Sequence, residues 1–366
     1  MSRDPDPAVI GSRVDDLDTP CLVLDLDKAE RNLDAMARAF AGTHVSVRPH
    51  TKTHKSPRLA LMQLQRGAIG VCCAKLGEAE VMAGSGITEI LITTELAGPA
   101  KLRRLIGLAR QTRVITVVDD AIAAEQISEA AVAAKLRVRC LVDLDIGTNR
   151  TGVAPGEPAI ELALKVVRMP GLDLVGLQGY EGHLQHVVEV DERRDQHGAA
   201  VSLLTQTAER LREMGLNTEI VSTAGTGTCD MAARHSAVTE VQPGSYVVMD
   251  TDYGRVHGIG FEHSLTVISS VVSKRNNGVT VDAGFKALSI DSGPAAPKDL
   301  DAHYAPRGDE HGLVSFENGN PLAVGDRVSL IPSHCDTTIN LHDHYYVTRG
   351  DRVVAIWPIA TRGRLQ

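Results

Sequence analysis

At 366 residues and 43% apolar content, the chain has room for one large domain and a smaller one. Its formal net charge of -8 gives no basis for broad nucleic-acid or membrane-surface binding, and no apolar run reaches transmembrane length. Aromatic residues stand at 3%, which argues against a ring-lined sugar or single-strand platform.

Residues 1–18 read as a mobile arm, too acidic and polar for a secretory signal. Cys21–Asp25 reads as a short strand and Lys28–Phe40 as an amphipathic helix. A regular rhythm follows, with apolar runs at 45–48, 68–72, 89–94, 113–119, 138–145, 172–180, 217–223 and 239–248. Helical patterns fill most of the gaps, at Gly77–Ala83, Pro99–Ala109, Ala121–Ala134, Ala159–Val167 and 191–214, the one around 229–236 being the weakest. Eight strands with intervening helices predict an α/β fold of the TIM type, a parallel (β/α)8 barrel, with a doubly wound sheet as the competing arrangement. From Val256 the period changes. Ser264–Ser273, Gly278–Ala283, Asp326–Ile331, Asp343–Arg349 and Arg352–Trp357 are strand-like and separated by Gly, Asn and Asp turns. The expected division is an arm and strand at 1–26 joining the β domain, a barrel at 27–255, and a C-terminal mainly-β domain at 256–366. Six cysteines without framework spacing read as reduced thiols of a cytoplasmic protein.

Barrel enzymes carry their reactive groups at the C-terminal ends of the strands, and the unusual residues of this chain collect there. Between Pro49 and Pro57 lie His50, Lys52, His54 and Lys55. A lysine at that corner, in a cationic or apolar surround, has a lowered pKa and serves as an amine nucleophile; the plain alternative is a solvated basic loop. Asp145 and Arg150 follow the fifth strand, and Tyr180, Glu181, His183 and His186 follow the sixth. The run Ser222-Thr223-Ala224-Gly225-Thr226-Gly227-Thr228 follows the seventh, and Gly244-Ser245-Tyr246 sits near the end of the eighth. Small residues there let backbone N–H groups and hydroxyls converge on one anion, though a tight turn would read the same way. A phosphate handle and an amine on one rim point to pyridoxal phosphate.

A second cluster lies in the β domain, at Ser333-His334-Cys335-Asp336 and on to His342-Asp343-His344. On extended backbone His334 and Asp336 face the same way, where an imidazole and a carboxylate hold a divalent ion completed by water or substrate oxygens. A His334/Cys335 pair would favour zinc but diverges on a strand, and His342 with His344 is a rival pair. A polar loop with chance histidines is the plain alternative.

Together, RPHTKTHKS, GVCCAKLGEAE, DLDIGTNRTGV, GYEGHLQH, GTGT, GSYVVMDTDYG, DEHG and PSHCDTTINLHD resemble the D-threonine aldolase and D-serine dehydratase family, fold-type III pyridoxal phosphate enzymes built like alanine racemase. The resemblance runs from Thr19 to Gly363. It implies that Lys52 rather than Lys55 bonds the cofactor, that Arg150 partners its phenolic oxygen, and that Tyr180 packs on its ring. Gly225, Thr226, Gly227, Thr228, Gly244 and Ser245 would hold its phosphate, His186 would lie near the substrate β-hydroxyl, and His334 and Asp336 would bind the metal. His334-Cys335-Asp336 follows the aldolase pattern, His-x-Asp, where dehydratase-like members carry His-x-Cys. That choice favours manganese or magnesium, with zinc as the alternative.

The resemblance further implies cleavage of a β-hydroxy-D-amino acid, D-threonine by default, to glycine and an aldehyde. Cleavage of 3-hydroxy-D-aspartate, dehydration of D-serine or 3-hydroxyaspartate, and a non-catalytic pyridoxal phosphate carrier are the alternatives. It also implies a homodimer with active sites at the interface, to which Asp309-Glu310-His311-Gly312 would contribute. Thr51, Thr223-Ala224, Glu181 and His183 depart from the family pattern, and the last two are expected to alter the substrate pocket.

Overall fold

The computed structural model describes residues 6–366. After β1 (Cys21–Asp25) and α1 (Leu26–Phe40), strands and helices alternate through β2 (Ser46–Val47), α2 (Pro57–Gln65), β3 (Val71–Cys73), α3 (Leu76–Gly84), β4 (Glu89–Ile92) and α4 (Pro99–Ala109). The alternation continues through β5 (Arg113–Val118), α5 (Ala121–Ala133), β6 (Val138–Leu144), α6 (Glu157–Val166), β7 (Leu172–Gly179), α7 (Val190–Glu213), β8 (Ile220–Thr223), α8 (Cys229–Ala232), β9 (Glu240–Val241) and α9 (Thr251–Gly254). Each expected barrel strand is present, shorter than its apolar run, and the weak eighth helix is a single turn.

The eight strands form one parallel sheet in the order β2-β9-β8-β7-β6-β5-β4-β3. Its edges meet through a parallel bridge between His50 and Cys72, with Thr51 N–H on the Cys72 carbonyl at 2.8 Å and Cys72 N–H on the Pro49 carbonyl at 2.9 Å. The barrel therefore closes through the segment that carries Lys52. Inside it, Cys72, Leu91, Ile115, Val117, Leu141, Val175 and Ile220 form a plug of buried side chains. Local signals set the corner after β2. Ser56 caps α2 and Pro57 occupies its first turn, so the chain leaves the strand, turns through residues 48–56 and starts a helix at once.

The second sheet contains β10 (Leu265–Arg275), β11 (Gly278–Val281), β12 (Ala296–Pro297), β13 (His303–Pro306), β14 (Gly312–Ser315), β15 (Arg327–Ile331), β16 (His344–Arg349) and β17 (Arg352–Pro358). A short helix, α10 (Cys335–Ile339), follows β15. β1 lies in the middle of this sheet, antiparallel to β10 and parallel to β16. The strands β12, β13 and β14 are absent from the sequence expectation. They run two to four residues and include Pro297 and Pro306, too short and too broken to show a period of two.

The arm is a correction as well. Residues 1–5 of the expected mobile arm lie outside the described residues. The remainder lies against the second sheet, with Gly11 N–H on the Val353 carbonyl at 2.8 Å and Val14 N–H on the Asp351 carbonyl at 2.9 Å. Leu17, 1% exposed, anchors it in an apolar cluster with Cys21, Val23, Ile268 and Val353.

One apolar core joins the two layers, running from Leu33 and Met36 of α1 through Tyr246 and Val247 to Leu265, Ile339 and Tyr345. It sets α10 over the mouth of the barrel. Tyr345 Oη donates to the His54 carbonyl at 2.6 Å, two residues beyond Lys52.

Candidate active site

Lys52 emerges at the C-terminal mouth into an open cleft of about 630 Å³ whose wall includes His50, Thr53, Arg150, Tyr180, Thr226 and Tyr253. Its amine lies 3.6 Å from Asp336 Oδ2. That carboxylate pushes the lysine pKa up, against the opposing effect of burial. The expected lowering is therefore corrected: the surround is not purely cationic, because the fold brings Asp336 in from the other domain. Lys55 has a different task. Its amine reaches Glu78 Oε1 at 2.8 Å in a buried pair, and Glu78 Oε2 accepts the N–H groups of Ala74 and Lys75 at the start of α3. His50 accepts the Lys52 N–H at Nδ1, 3.3 Å away, and its pKa is driven far down by burial and then by Lys52. Thr51 is buried, with Oγ1 donating to the Cys72 carbonyl at 3.0 Å.

Arg150 and Tyr180 come together, the guanidinium carbon 5.8 Å from the ring centroid. Asp145 Oδ1 folds the intervening loop by accepting the N–H groups of Gly147 and Asn149, and Thr148 Oγ1 ties it to the Tyr180 carbonyl at 2.5 Å. Of the proposed phosphate residues, Gly225, Thr226, Gly244 and Ser245 form the cleft wall. Gly227 and Thr228 lie behind it, the Gly227 N–H donating to Gln185 Oε1 at 2.9 Å and Thr228 Oγ1 to Glu181 at 2.5 Å. A Cβ at Gly244 would stand 2.9 Å from the His50 carbonyl, so only glycine lets these two segments approach this closely.

His186 sits on the rim, its Nδ1 3.2 Å from Asp252 Oδ2 and its ring centroid 4.4 Å from that of Tyr253. Partial burial lowers its pKa, more than the neighbouring Asp252 raises it. Arg255 pairs with the other oxygen of Asp252. Neither Glu181 nor His183 forms part of the cleft wall, contrary to expectation. Glu181 is fully buried, and His183 lies over Gly147, where an added Cβ would meet its ring at 2.8 Å.

His334 and Asp336 converge, but not as two residues of a strand. His334 is the extended cap residue ahead of α10 and Asp336 lies in the first helical turn, so the helical turn rather than pleat alternation brings Nε2 to 4.0 Å from Asp336 Oδ1. That Oδ1 is buried and without a hydrogen-bond partner among the described residues. Burial opposes the Asp336 charge, yet Lys52 and His334 hold the carboxyl below its usual range. Asp291 Oδ2 meets His334 Nδ1 at 2.6 Å and fixes the ring with Nε2 turned toward Asp336. Cys335 points away, its thiol on the Met249 carbonyl at 3.1 Å. The rival pair is not assembled, since His342 Nε2 is engaged by the Ala287 carbonyl at 2.9 Å. Among the described residues no group of three or more His, Cys, Asp or Glu side chains converges as a metal cage.

A half-buried amine on the cleft, an aromatic ring with a guanidinium beside it and a glycine-lined wall fit pyridoxal phosphate, and the unpartnered Asp336 oxygen fits a cation. Sequence reasoning missed Asp252 and Asp291 as supports for His186 and His334. Asp252 carried a faint signal in the DTDYG run just past the eighth strand; Asp291 carried none.

Residues 24–252 match the family described as alanine racemase, N-terminal domain, and residues 264–348 match the putative serine dehydratase domain. The chain is 40% identical to a D-threonine aldolase of Arthrobacter sp, over 98% of this chain and 96% of the relative. It is 36% identical to a 3-hydroxy-D-aspartate aldolase of Paracoccus denitrificans (strain Pd 1222), over 98% of this chain and 95% of the relative. The crystal structure of D-threonine aldolase from Filomicrobium marinum superposes with a TM-score of 0.96 at 42% identity, covering 98% of this chain and 99% of that one. With this fold and these relatives, the chain belongs to the D-threonine aldolase and D-serine dehydratase-like family of alanine racemase-fold enzymes.

Proposed function

We propose that the protein is a carbon–carbon lyase that cleaves β-hydroxy-D-amino acids of the D-threonine kind to glycine and an aldehyde. Pyridoxal 5'-phosphate would be held on Lys52 and a divalent cation by His334 and Asp336. The observation that carries this reading is Asp336: its Oδ1 is buried and unpartnered among the described residues while its Oδ2 lies 3.6 Å from the Lys52 amine, so the proposed cation ligand stands against the proposed cofactor amine. When bound, the cofactor ring takes up the electron pair left on Cα and the cation acidifies the substrate β-hydroxyl.

The chain's own residues do the rest. Arg150 and Tyr180 orient the ring, and Thr226 and Ser245 hold the phosphate beside Gly225 and Gly244, with Gly227 and Thr228 supporting that wall from behind. His186 stays unprotonated near neutral pH because its pKa is lowered, and Asp252 occupies its Nδ1, leaving Nε2 to take the β-hydroxyl proton. The Cα–Cβ bond breaks, the aldehyde departs, and a proton returned to Cα completes glycine.

Manganese or magnesium suits this oxygen and imidazole pair better than zinc. In this reading the chain divides into 1–26, 27–255 and 256–366, with cofactor and cation ligands on separate units, and it works as a homodimer, as the sequence resemblance implies. Six cysteines, all unpaired and buried, fit a reducing cytoplasmic setting. Among the described residues no helix is long and apolar enough to cross a membrane.

A second reading, cleavage of 3-hydroxy-D-aspartate to glycine and glyoxylate, has one observation in its favour. Arg255 stands at the rim through Asp252, the partner of His186, and offers a cation to a second substrate carboxylate. One assay tests both readings, with D-threonine, L-threonine, D-serine and 3-hydroxy-D-aspartate incubated with pyridoxal phosphate and manganese, with and without chelator. Glycine and an aldehyde, formed from D-substrates and lost on chelation, are expected; ammonia and a 2-oxo acid would replace the lyase with a dehydratase.

A further inference from the structure

Glu181 is a densely bonded buried carboxylate outside the reacting centre. It is 0% exposed and stands directly behind the 222–228 loop. Its Oε2 accepts the Thr223 hydroxyl at 3.0 Å and the Ala224 N–H at 3.2 Å, and its Oε1 accepts the Thr228 hydroxyl at 2.5 Å. Gln185, one helical turn on, extends the same lattice: Nε2 donates to Thr228 Oγ1 at 2.9 Å and Oε1 accepts the Gly227 N–H at 2.9 Å. From the far side His197 of α7 brings Nδ1 to 3.4 Å from Glu181 Oε1. Burial opposes the charge, but His197 and the Thr228 hydroxyl hold the carboxyl below its usual range, so it is an ionised acceptor.

The loop needs such a hold. Ala224 has φ +67, a left-handed conformation that glycine adopts freely and that a Cβ makes costly. The N–H groups of Ala224, Gly225 and Gly227 all point back into the lattice, Gly225 to Thr228 Oγ1 at 3.3 Å. Among the described residues the Thr226 N–H has no protein acceptor, and Thr226 lies on the cleft wall. The loop is thus turned inside out at one residue: its neighbours donate inward to Glu181, Gln185 and Thr228, and Thr226 is left to the cleft.

We infer that Glu181 is a positioning residue for the phosphate end of the cofactor, holding the strained 222–228 loop in the one path that presents Thr226 to the anion. This rests on the pyridoxal phosphate reading above. A neutral amide in its place presents an N–H₂ to the hydroxyl and N–H donors that now converge on a carboxylate, and the path is lost.

The test compares pyridoxal phosphate with pyridoxal, which lacks the phosphate, by titrating each into cofactor-stripped full-length protein and following the absorbance of the bound form. The expected result for Glu181→Gln is a dissociation constant for pyridoxal phosphate raised about tenfold or more, with that for pyridoxal unchanged. Thr228→Val, which removes one donor and keeps the volume, is expected to show the same selective loss and serves if Glu181→Gln does not fold. Equal weakening of both ligands, or of neither, in a folded variant overturns the positioning role while leaving the cofactor reading intact. Equal affinity of the wild-type protein for both ligands removes the phosphate site itself, and the inference with it.

Discussion

At the scale of single residues, the proposed site divides into side chains assigned to chemistry and side chains that hold them in place. Lys52, Arg150, Tyr180, His186, His334 and Asp336 stood out in the sequence, each lying at a strand end or in a dense polar run. The holding residues did not. Asp291 meets His334 across 43 positions of sequence, and nothing local marks it. Glu181 was legible as unusual but misplaced, since a carboxylate beside a pocket and one buried behind its wall look alike in a string of letters. Asp291 carries a direct prediction. A metal-ligating histidine depends on the acceptor at its other nitrogen, so Asp291→Asn should weaken manganese binding about 10–100-fold. Calorimetric titration of metal into the chelated protein measures this. Unchanged affinity would show that packing alone orients His334.

At the scale of elements, legibility followed length and period. The barrel strands announced themselves as apolar runs at regular spacing, since a strand covered on both faces has little room for polar residues. Short pieces had no such voice. α10 is five residues long, and its helical turn went unread although it sets the geometry of the His334–Asp336 pair. β1 is short too, but its burial is nearly complete, and Leu22 and Leu24 are 1% and 0% exposed. Paired on both sides, it holds the middle of the second sheet. Leu24→Ala should cost about 2–5 kcal/mol, the usual range for a buried leucine, read as a lower denaturant midpoint with an unchanged slope. A loss below about 1 kcal/mol would mean that the sheet closes over the gap or that β1 is peripheral to stability.

For the whole molecule, the join between barrel and β domain carries a pH signature. His54 is fully buried there, its pKa lowered to about 4 by burial, with Gln63 at 3.3 Å and its carbonyl held by Tyr345. The unfolded histidine binds a proton near pH 6.5 and the folded one does not until about 4. The stability contributed by the neutral ring is present above the unfolded value and drains away as pH falls through that window, by up to about 3 kcal/mol. Chemical denaturation between pH 7 and 4 should show this slope, and His54→Gln should flatten it. A slope identical in the variant would place the loss in other groups.

The position of β1 also bears on how the chain is made. Synthesis is vectorial, and the strand emerges from the ribosome some 240 residues before β10, its first partner, and over 300 before β16, its second. During that interval an apolar segment with an open hydrogen-bonding edge waits while the barrel forms beside it. Asp336, the proposed cation ligand, arrives in the same late stretch that satisfies β1. A nascent chain therefore acquires the proposed cation ligands and the second partner of β1 almost together, and a ribosome that stalls short of residue 334 leaves both missing.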